Sequence, residues 1–217
     1  MKIMQNYRLP QRLFITGTDT DIGKTLVSAV LMCGTDARYW KPVQSGSEEM
    51  SDSQWIQQVT GLPADRFMPE RHRLSRPLSP HAAAAIDGVD IALEDFELPG
   101  GVSCDPLIVE GAGGVMVPLN DRHLMLDLIV RLALPVLVVA SSRLGTINHT
   151  LLTLDKLRSR QVEIVGVVMN GPLDESNRRA IAHFGQSRIV AQIAPLAAIN
   201  RAVLEGVFEA GFRSMLF

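Results

Sequence analysis

The sequence predicts an α/β fold: a single doubly wound domain over residues 1–217 with a mostly parallel sheet. Short runs rich in Val, Ile and Leu recur along the chain, and amphipathic helical patterns separate several of them. The runs themselves are nearly apolar throughout, as strands covered on both faces must be. At 47% hydrophobic and 20% charged residues, the 217-residue chain can bury a full core.

The first strand is Leu13 to Thr16, and the first helix runs from Lys24 to Met32. A second strand is predicted over Arg38 to Val43. From Ser45 to Gly101 the chain turns rich in Pro, Arg and Ser, with short helical pieces at Asp52 to Thr60 and His81 to Ile86, so this stretch is expected as a long excursion over one end of the sheet. Regular alternation resumes with strands at Leu107 to Glu110, Val136 to Ser141, Ile164 to Asn170 and Ile189 to Ile193. Helices at Leu124 to Ala133, Ile147 to Ser159 and Glu175 to Phe184 lie between them.

With 21 Lys+Arg against 23 Asp+Glu, the formal charge is −2, too small a field to recruit nucleic acid or an anionic membrane. The longest apolar run, Leu132 to Ala140, contains Pro135 and falls far short of a bilayer span. Met1 to Pro10 lacks the apolar core of a secretory signal. Cys33 and Cys104 are too few for a disulfide framework or zinc cluster and are expected as two small buried thiols in a reducing cytoplasm.

Strand Leu13 to Thr16 runs directly into Gly17-Thr18-Asp19-Thr20-Asp21-Ile22-Gly23-Lys24-Thr25, after which the helix begins. This is a nucleotide cradle. Backbone N–H groups at a helix start surround phosphate oxygens, Lys24 reaches the β/γ-phosphates, and the Thr25 hydroxyl ligates Mg²⁺. Five residues separate the two glycines where the strict pattern has four, so Thr18 takes the strict glycine position.

Three further segments supply charge. Lys41-Pro42-Val43-Gln44-Ser45-Gly46 puts a second cation at a strand end, on the rim where open α/β sheets bind ligands. Glu110, at the end of Leu107 to Glu110 and before Gly111-Ala112-Gly113-Gly114, is the natural partner of a hard divalent ion. Ser51-Asp52 opens a helix, where an Asp usually caps the end or offsets the dipole; only the wider constellation makes Asp52 a metal candidate.

Read in order, GTDTDIGKT, KPVQSG, SD, SPH, EGAGG and LGTINH resemble the dethiobiotin synthetases, from Phe14 to about Asn170. The resemblance implies the P-loop NTPase fold and an ATP- and Mg²⁺-dependent cyclo-ligase of biotin synthesis. Members of this family join CO₂ to 7,8-diaminononanoate through a carbamate and a carbamic-phosphoric anhydride, giving dethiobiotin, ADP and phosphate. Both nucleophiles belong to the substrate, so the protein supplies alignment and charge.

Carried onto this sequence, the resemblance makes Lys41 the key catalytic cation, assisted by Lys24 and Thr20. It assigns Asp21, Ile22, Gly23, Lys24, Thr25 and Leu26 to the nucleotide, together with Asp52 and Glu110, Gly111, Ala112 and Gly113, and Asn170 and Gly171 for the base. Thr25, Asp52 and Glu110 take the metal. Ser45 and Lys41 meet the diamine. Gly145, Thr146, Ile147 and Asn148 of one subunit receive the substrate carboxylate held mainly by the other, which implies a homodimer with its site at the interface. His81 and His149 are expected to be structural. Where the family has Ile-Pro-x-Leu, this chain reads Ile193-Ala194-Pro195-Leu196, and base contacts are assigned to Ala194, Pro195 and Leu196. Two rivals stand beside this: a nucleotide-binding regulatory module, and another P-loop ATPase that switches partners. A second lysine argues against the first, and Asp19 stands where partner-switching ATPases carry an extra lysine.

Overall fold

A computed structural model describes residues 9–47, 50–98 and 105–213; Cys104 lies outside them, while Cys33 is a partly buried free thiol. The main sheet has seven strands: β1 Arg12–Gly17, β2 Arg38–Trp40, β4 Phe67–Met68, β6 Leu107–Gly114, β7 Val136–Ser141, β8 Ile164–Asn170 and β9 Ile189–Ile193. They lie in the order β4-β2-β6-β1-β7-β8-β9, and every pairing is parallel. A separate two-stranded parallel sheet joins β3 Val43–Gln44 to β5 His72–Arg73.

Two apolar layers sandwich the main sheet, and strand parity sorts the side chains between them. Along β7, Val136, Val138 and Ala140 enter one layer while Leu137 and Val139 enter the other. The second layer includes buried residues of α1 Lys24–Gly34, α2 Asp52–Thr60 and α7 Arg201–Gly211; the first includes those of α3 Pro80–Asp87, α4 Met125–Leu132, α5 Thr146–Ser159 and α6 Glu175–Phe184. In β6, Ile108 faces α1 and Val109 faces away, so alternation turns Glu110 toward α1. By the same rule Tyr39 and Lys41, two residues apart on β2 and its extension, share that face.

Several expectations shift. The strand expected over Arg38 to Val43 stops at Trp40, because Pro42 has no N–H for a ladder; its carbonyl instead accepts the Arg71 and His72 N–H groups. β6 continues past Glu110 to Gly114, which pairs with Gly17, so Glu110 sits inside a strand and is fully buried. The stretch from Ser45 to Gly101 is more than an excursion, since it supplies edge strand β4 and strand β5. Arg66 donates to the carbonyls of Met32, Thr35 and Ala37, closing the end of α1. Helix α7 was not anticipated; it packs on α1.

That last contact depends on Gly34, where a Cβ would lie 2.1 Å from the Phe208 ring. Alanine there gains about 1 kcal/mol in helix propensity, but the overlap outweighs it. Gly34→Ala is expected to lower the urea midpoint, with a loss of about 1–3 kcal/mol. A double-mutant cycle with Phe208→Leu should show positive coupling between the two sites.

Candidate active site

At the C-terminal rim of the sheet lies a cavity of about 820 Å³, bounded by the phosphate loop, the residues after β2, the start of α2 and the turn from Pro77 to Pro80. Its floor is Glu110. The carboxylate is completely buried and receives four donors, each delivered by a simple periodicity. Thr25 and Ser28, three apart on α1, reach it at 2.9 Å (Thr25 Oγ1 to Oε1) and 2.6 Å (Ser28 Oγ to Oε2). Tyr39 Oη donates to Oε2 at 3.0 Å, and Lys41 Nζ to Oε1 at 3.2 Å. The register of β2 and β6 pairs Trp40 with Val109, which carries Lys41 onward to Glu110.

Lys41 is itself buried and forms a close ion pair with Asp52 as well as with Glu110. Asp52 is free for this because it is not the helix cap. Ser51 is: its side chain accepts the Gln54 N–H, and the Gln54 side chain accepts the Ser51 N–H at 2.9 Å. The Asp52 N–H in turn donates to Gln44 Oε1 at 2.9 Å, tying α2 to β3.

The phosphate loop is held open by backbone geometry. Gly23 has φ 97°, and a Cβ there would lie 2.2 Å from the Asn170 amide nitrogen. That amide donates to Ile22 O at 2.9 Å, pinning the loop from β8. Lys24 bends back to donate to Asp19 O at 2.9 Å. Helix α1 opens with no side-chain cap and no acid in its first turn, so its free N–H groups and positive end face the cavity. An anion fits there.

Charge in this cavity is tightly balanced. Burial pushes Lys24 down to about 8, against the pull of Glu110 and with the help of Lys41. Burial would raise the Glu110 carboxyl, but Lys41, the Ser28 hydroxyl, Lys24 and the Thr25 hydroxyl together hold it below the usual carboxylate range. Burial, and then Glu110 beside it, push the Tyr39 phenol well above its ordinary value, so it remains a donor.

Of the residues predicted from sequence, Thr20, Asp21, Gly23, Lys24, Thr25, Leu26, Lys41, Ser45, Asp52, Glu110, Ala112 and Gly113 all line this cavity. The buried Ser45 hydroxyl has no hydrogen-bond partner among the described residues, which leaves it available to a ligand. Others do not line it. Ile22 is buried beneath the loop. Gly111 turns to the opposite face, under the Phe14 ring. Asn170 and Gly171 meet the end of β9, where Gly171 N–H donates to Ile193 O, so they share the far rim with Ala194, Pro195 and Leu196. Gly145, Thr146, Ile147 and Asn148 open α5 at a third position, outside the cavity. His81 bonds Ser79 at 3.0 Å and His149 is exposed.

Ser28, Tyr39, Gln44, Trp55 and Ile199 escaped the sequence reading. A signal existed for the first two: a serine on the buried side of an apolar helix three residues after Thr25, and a tyrosine in phase with Lys41. Trp55 and Ile199 reach the cavity only through packing of α2 and the segment before α7.

The fold, the loop around Lys24 and the paired acids define a P-loop nucleotide-binding protein of the ATPase class. A family model described as "AAA domain" matches residues 11–203. The "MinC:MinD cell division protein complex" of Aquifex aeolicus shares the fold alone, with a TM-score of 0.53 and 11% identity over 94% of this chain and 92% of that one. The sequence relatives are much nearer. The ATP-dependent dethiobiotin synthetase BioD of Paramagnetospirillum magneticum is 51% identical over 195 residues, 90% of this chain and 93% of its own. That of Rhodopseudomonas palustris is 46% identical, over 93% of this chain and 94% of its own. The bifunctional biotin biosynthesis protein BioCD of Bordetella avium is 46% identical over 92% of this chain but 43% of its own length. The chain belongs to the dethiobiotin synthetase family.

Holding a buried ammonium works against folding. Since Lys24 has a lowered proton affinity in the folded state, the unfolded chain binds the extra proton between about pH 8 and 10.5, and stability rises with pH across that window. Lys24→Met should therefore stabilise the ligand-free protein at pH 7 by about 1–3 kcal/mol while abolishing ATP turnover. In urea titrations its advantage over the parent should shrink as pH rises through the same window.

Proposed function

We infer that the chain is an ATP-dependent dethiobiotin synthetase, condensing 7,8-diaminononanoate with CO₂ and ATP to dethiobiotin, ADP and phosphate in biotin biosynthesis. The observation that carries this beyond nucleotide binding is the second buried lysine: Lys41 stands between Asp52 and Glu110, beside the phosphate loop and facing the same cavity as Ser45. The described lining residues include neither Cys nor His, in keeping with nucleophiles carried by the substrate. One diamine nitrogen adds to CO₂ and loses a proton, giving a carbamate. A carbamate oxygen then displaces ADP from the γ-phosphorus. The second nitrogen attacks the carbonyl carbon, expels phosphate and gives up a proton as the urea closes.

In this reading Lys24 and the free N–H groups of α1 hold the β/γ-phosphates, and Thr20 and Asp21 line the loop near diamine and phosphate. Lys41 meets the charge that builds as carbamate approaches phosphorus, and Ser45 hydrogen-bonds the substrate. Asn170, Gly171 and residues 194–196 would take the adenine along the far rim.

Magnesium fits the donor set. Thr25, Asp52 and Glu110 converge around a point already shared with one cation, the Lys41 ammonium. Among the described residues no cluster of three His, Cys, Asp or Glu could cage a metal alone, so the ion would need the phosphates as co-ligands. When bound it would supply neutralisation of charge between the β- and γ-phosphates.

The start of α5 supports a homodimer. Its N-terminus has a left-handed Gly145, no side-chain cap and no acid in the first turn, which suits a carboxylate from a substrate held in the partner subunit. Leu144 is wholly exposed just ahead of it and Leu152 is exposed on α5 itself, as an uncovered contact surface would be. No helix among the described residues is long and apolar enough to cross a membrane; an ATP-consuming biosynthetic step is assigned to the cytoplasm.

Given the diamine and labelled bicarbonate, the purified chain should release ADP and form a labelled cyclic urea, with little ADP formed when the diamine is left out. Vigorous hydrolysis without diamine would instead identify a switch ATPase. Lys41→Gln retains a donor for both carboxylates but removes the charge. It should lower kcat about 10²–10³-fold and change the Kd for ATP by less than about threefold. Equal losses in both would make Lys41 a simple binding residue.

A further inference from the structure

The two oxygens of Glu110 have different surroundings. Oε1 meets the Thr25 hydroxyl at 2.9 Å and Lys41 at 3.2 Å, both of which line the cavity. Oε2 meets the hydroxyls of Ser28 at 2.6 Å and Tyr39 at 3.0 Å, and neither of these residues reaches the cavity. Both are completely buried. The donors are set on stiff elements: Ser28 on α1, and Tyr39 on β2 between its pairing with Ile108 and an edge-on contact with the Phe67 ring. Ser28 Oγ also lies 3.1 Å from Lys24 O, a longer and weaker alternative for its single proton. For the Tyr39 hydroxyl, Glu110 is the one hydrogen-bond partner found among the described residues.

We propose that Ser28 and Tyr39 are positioning residues that hold Glu110 as a one-oxygen ligand, and that they thereby set the preference of the site for Mg²⁺ over Ca²⁺. The proposal rests on the reading of Glu110 as a metal ligand. Mg²⁺ is small and demands near-octahedral coordination, whereas the larger Ca²⁺ accepts six to eight oxygens and readily takes both oxygens of one carboxylate. To chelate through both oxygens, Glu110 would have to turn Oε2 away from both of its hydrogen bonds, the short one from Ser28 and the longer one from Tyr39. The buried Tyr39 hydroxyl would then be left without a partner, which is costly in the absence of water. A carboxylate fastened on one side thus penalises the ion that gains most from bidentate binding. Hydrogen bonds of this kind to a ligating carboxylate ordinarily orient the ligand and tune the metal.

The test measures metal binding rather than turnover. The full chain, saturated with ADP, is titrated calorimetrically with Mg²⁺ and, separately, with Ca²⁺, as the parent, Ser28→Ala, Tyr39→Phe, the double variant and Glu110→Gln. Folding is checked by circular dichroism, and Ser28→Thr serves as the conservative control. The double variant should bind Mg²⁺ about tenfold more weakly while Ca²⁺ affinity holds or improves, and Ser28→Thr should keep the parental ratio. Should the double variant fail to fold, a fall in the Mg²⁺/Ca²⁺ affinity ratio in each single variant carries the same conclusion. Equal weakening of both metals, or no change in the ratio, overturns the proposal. If Glu110→Gln leaves both metal affinities intact, the metal reading of Glu110 itself falls. That result is separable from one in which Glu110→Gln loses metal and the hydroxyl variants keep their selectivity.

Discussion

A fully buried carboxylate is the constraint around which this molecule is arranged. Glu110 lies inside a central strand with no exposure to water, a position whose desolvation is tolerable only with partners of the right kind in the right places. Those partners all reach it on one face of the sheet: Thr25 and Ser28 from the helix packed there, Tyr39 and Lys41 from the adjacent strand and its extension. The phosphate loop, the strand ahead of Lys41 and the strand carrying the acid are thereby bound to one atom group. Moving any of them by a residue would leave buried charge unpaired.

The arrangement is strained electrostatically in the direction that function needs. Lys24 and Lys41 are both buried near one another, and Lys24 holds its proton less firmly than an ordinary lysine. A phosphate group at the uncapped start of α1 would supply the counter-charge that burial denies Lys24, so anion binding and stability are linked there. Asp52 participates only because Ser51 and Gln54 close the helix without it. A capping box, usually a local stabiliser, here frees a carboxylate for the cavity.

Much of this could be read along the chain. The parallel sheet, the phosphate loop and the acid that opens EGAGG were legible because each is a local pattern, a strand of apolar residues followed by small ones. Other features were obscured by non-local pairing. The prolines and arginines between Ser45 and Gly101 concealed strands of two residues, which exist only because β2 and β3 offer them a ladder. The C-terminal helix is identified by its contact with α1, where Gly34 admits Phe208. Strand parity at Gly111 and packing beneath the loop at Ile22 turn both side-chain positions into the interior, a placement no short stretch of residues displays.

By itself the sequence determined the chemistry available: two lysines, two carboxylates, a threonine and a loop of glycines at spacings that suit phosphate and a hard cation. It also determined the periods, three along α1 and two along β2, that put the interacting side chains on common faces. Only the tertiary structure decided which of them meet. Side-chain periodicity selects a face, but the partner across that face is set by strand order and register, and these depend on the summed burial of two apolar layers rather than on any short stretch of residues. Ser28 and Tyr39 joined Glu110 by that route.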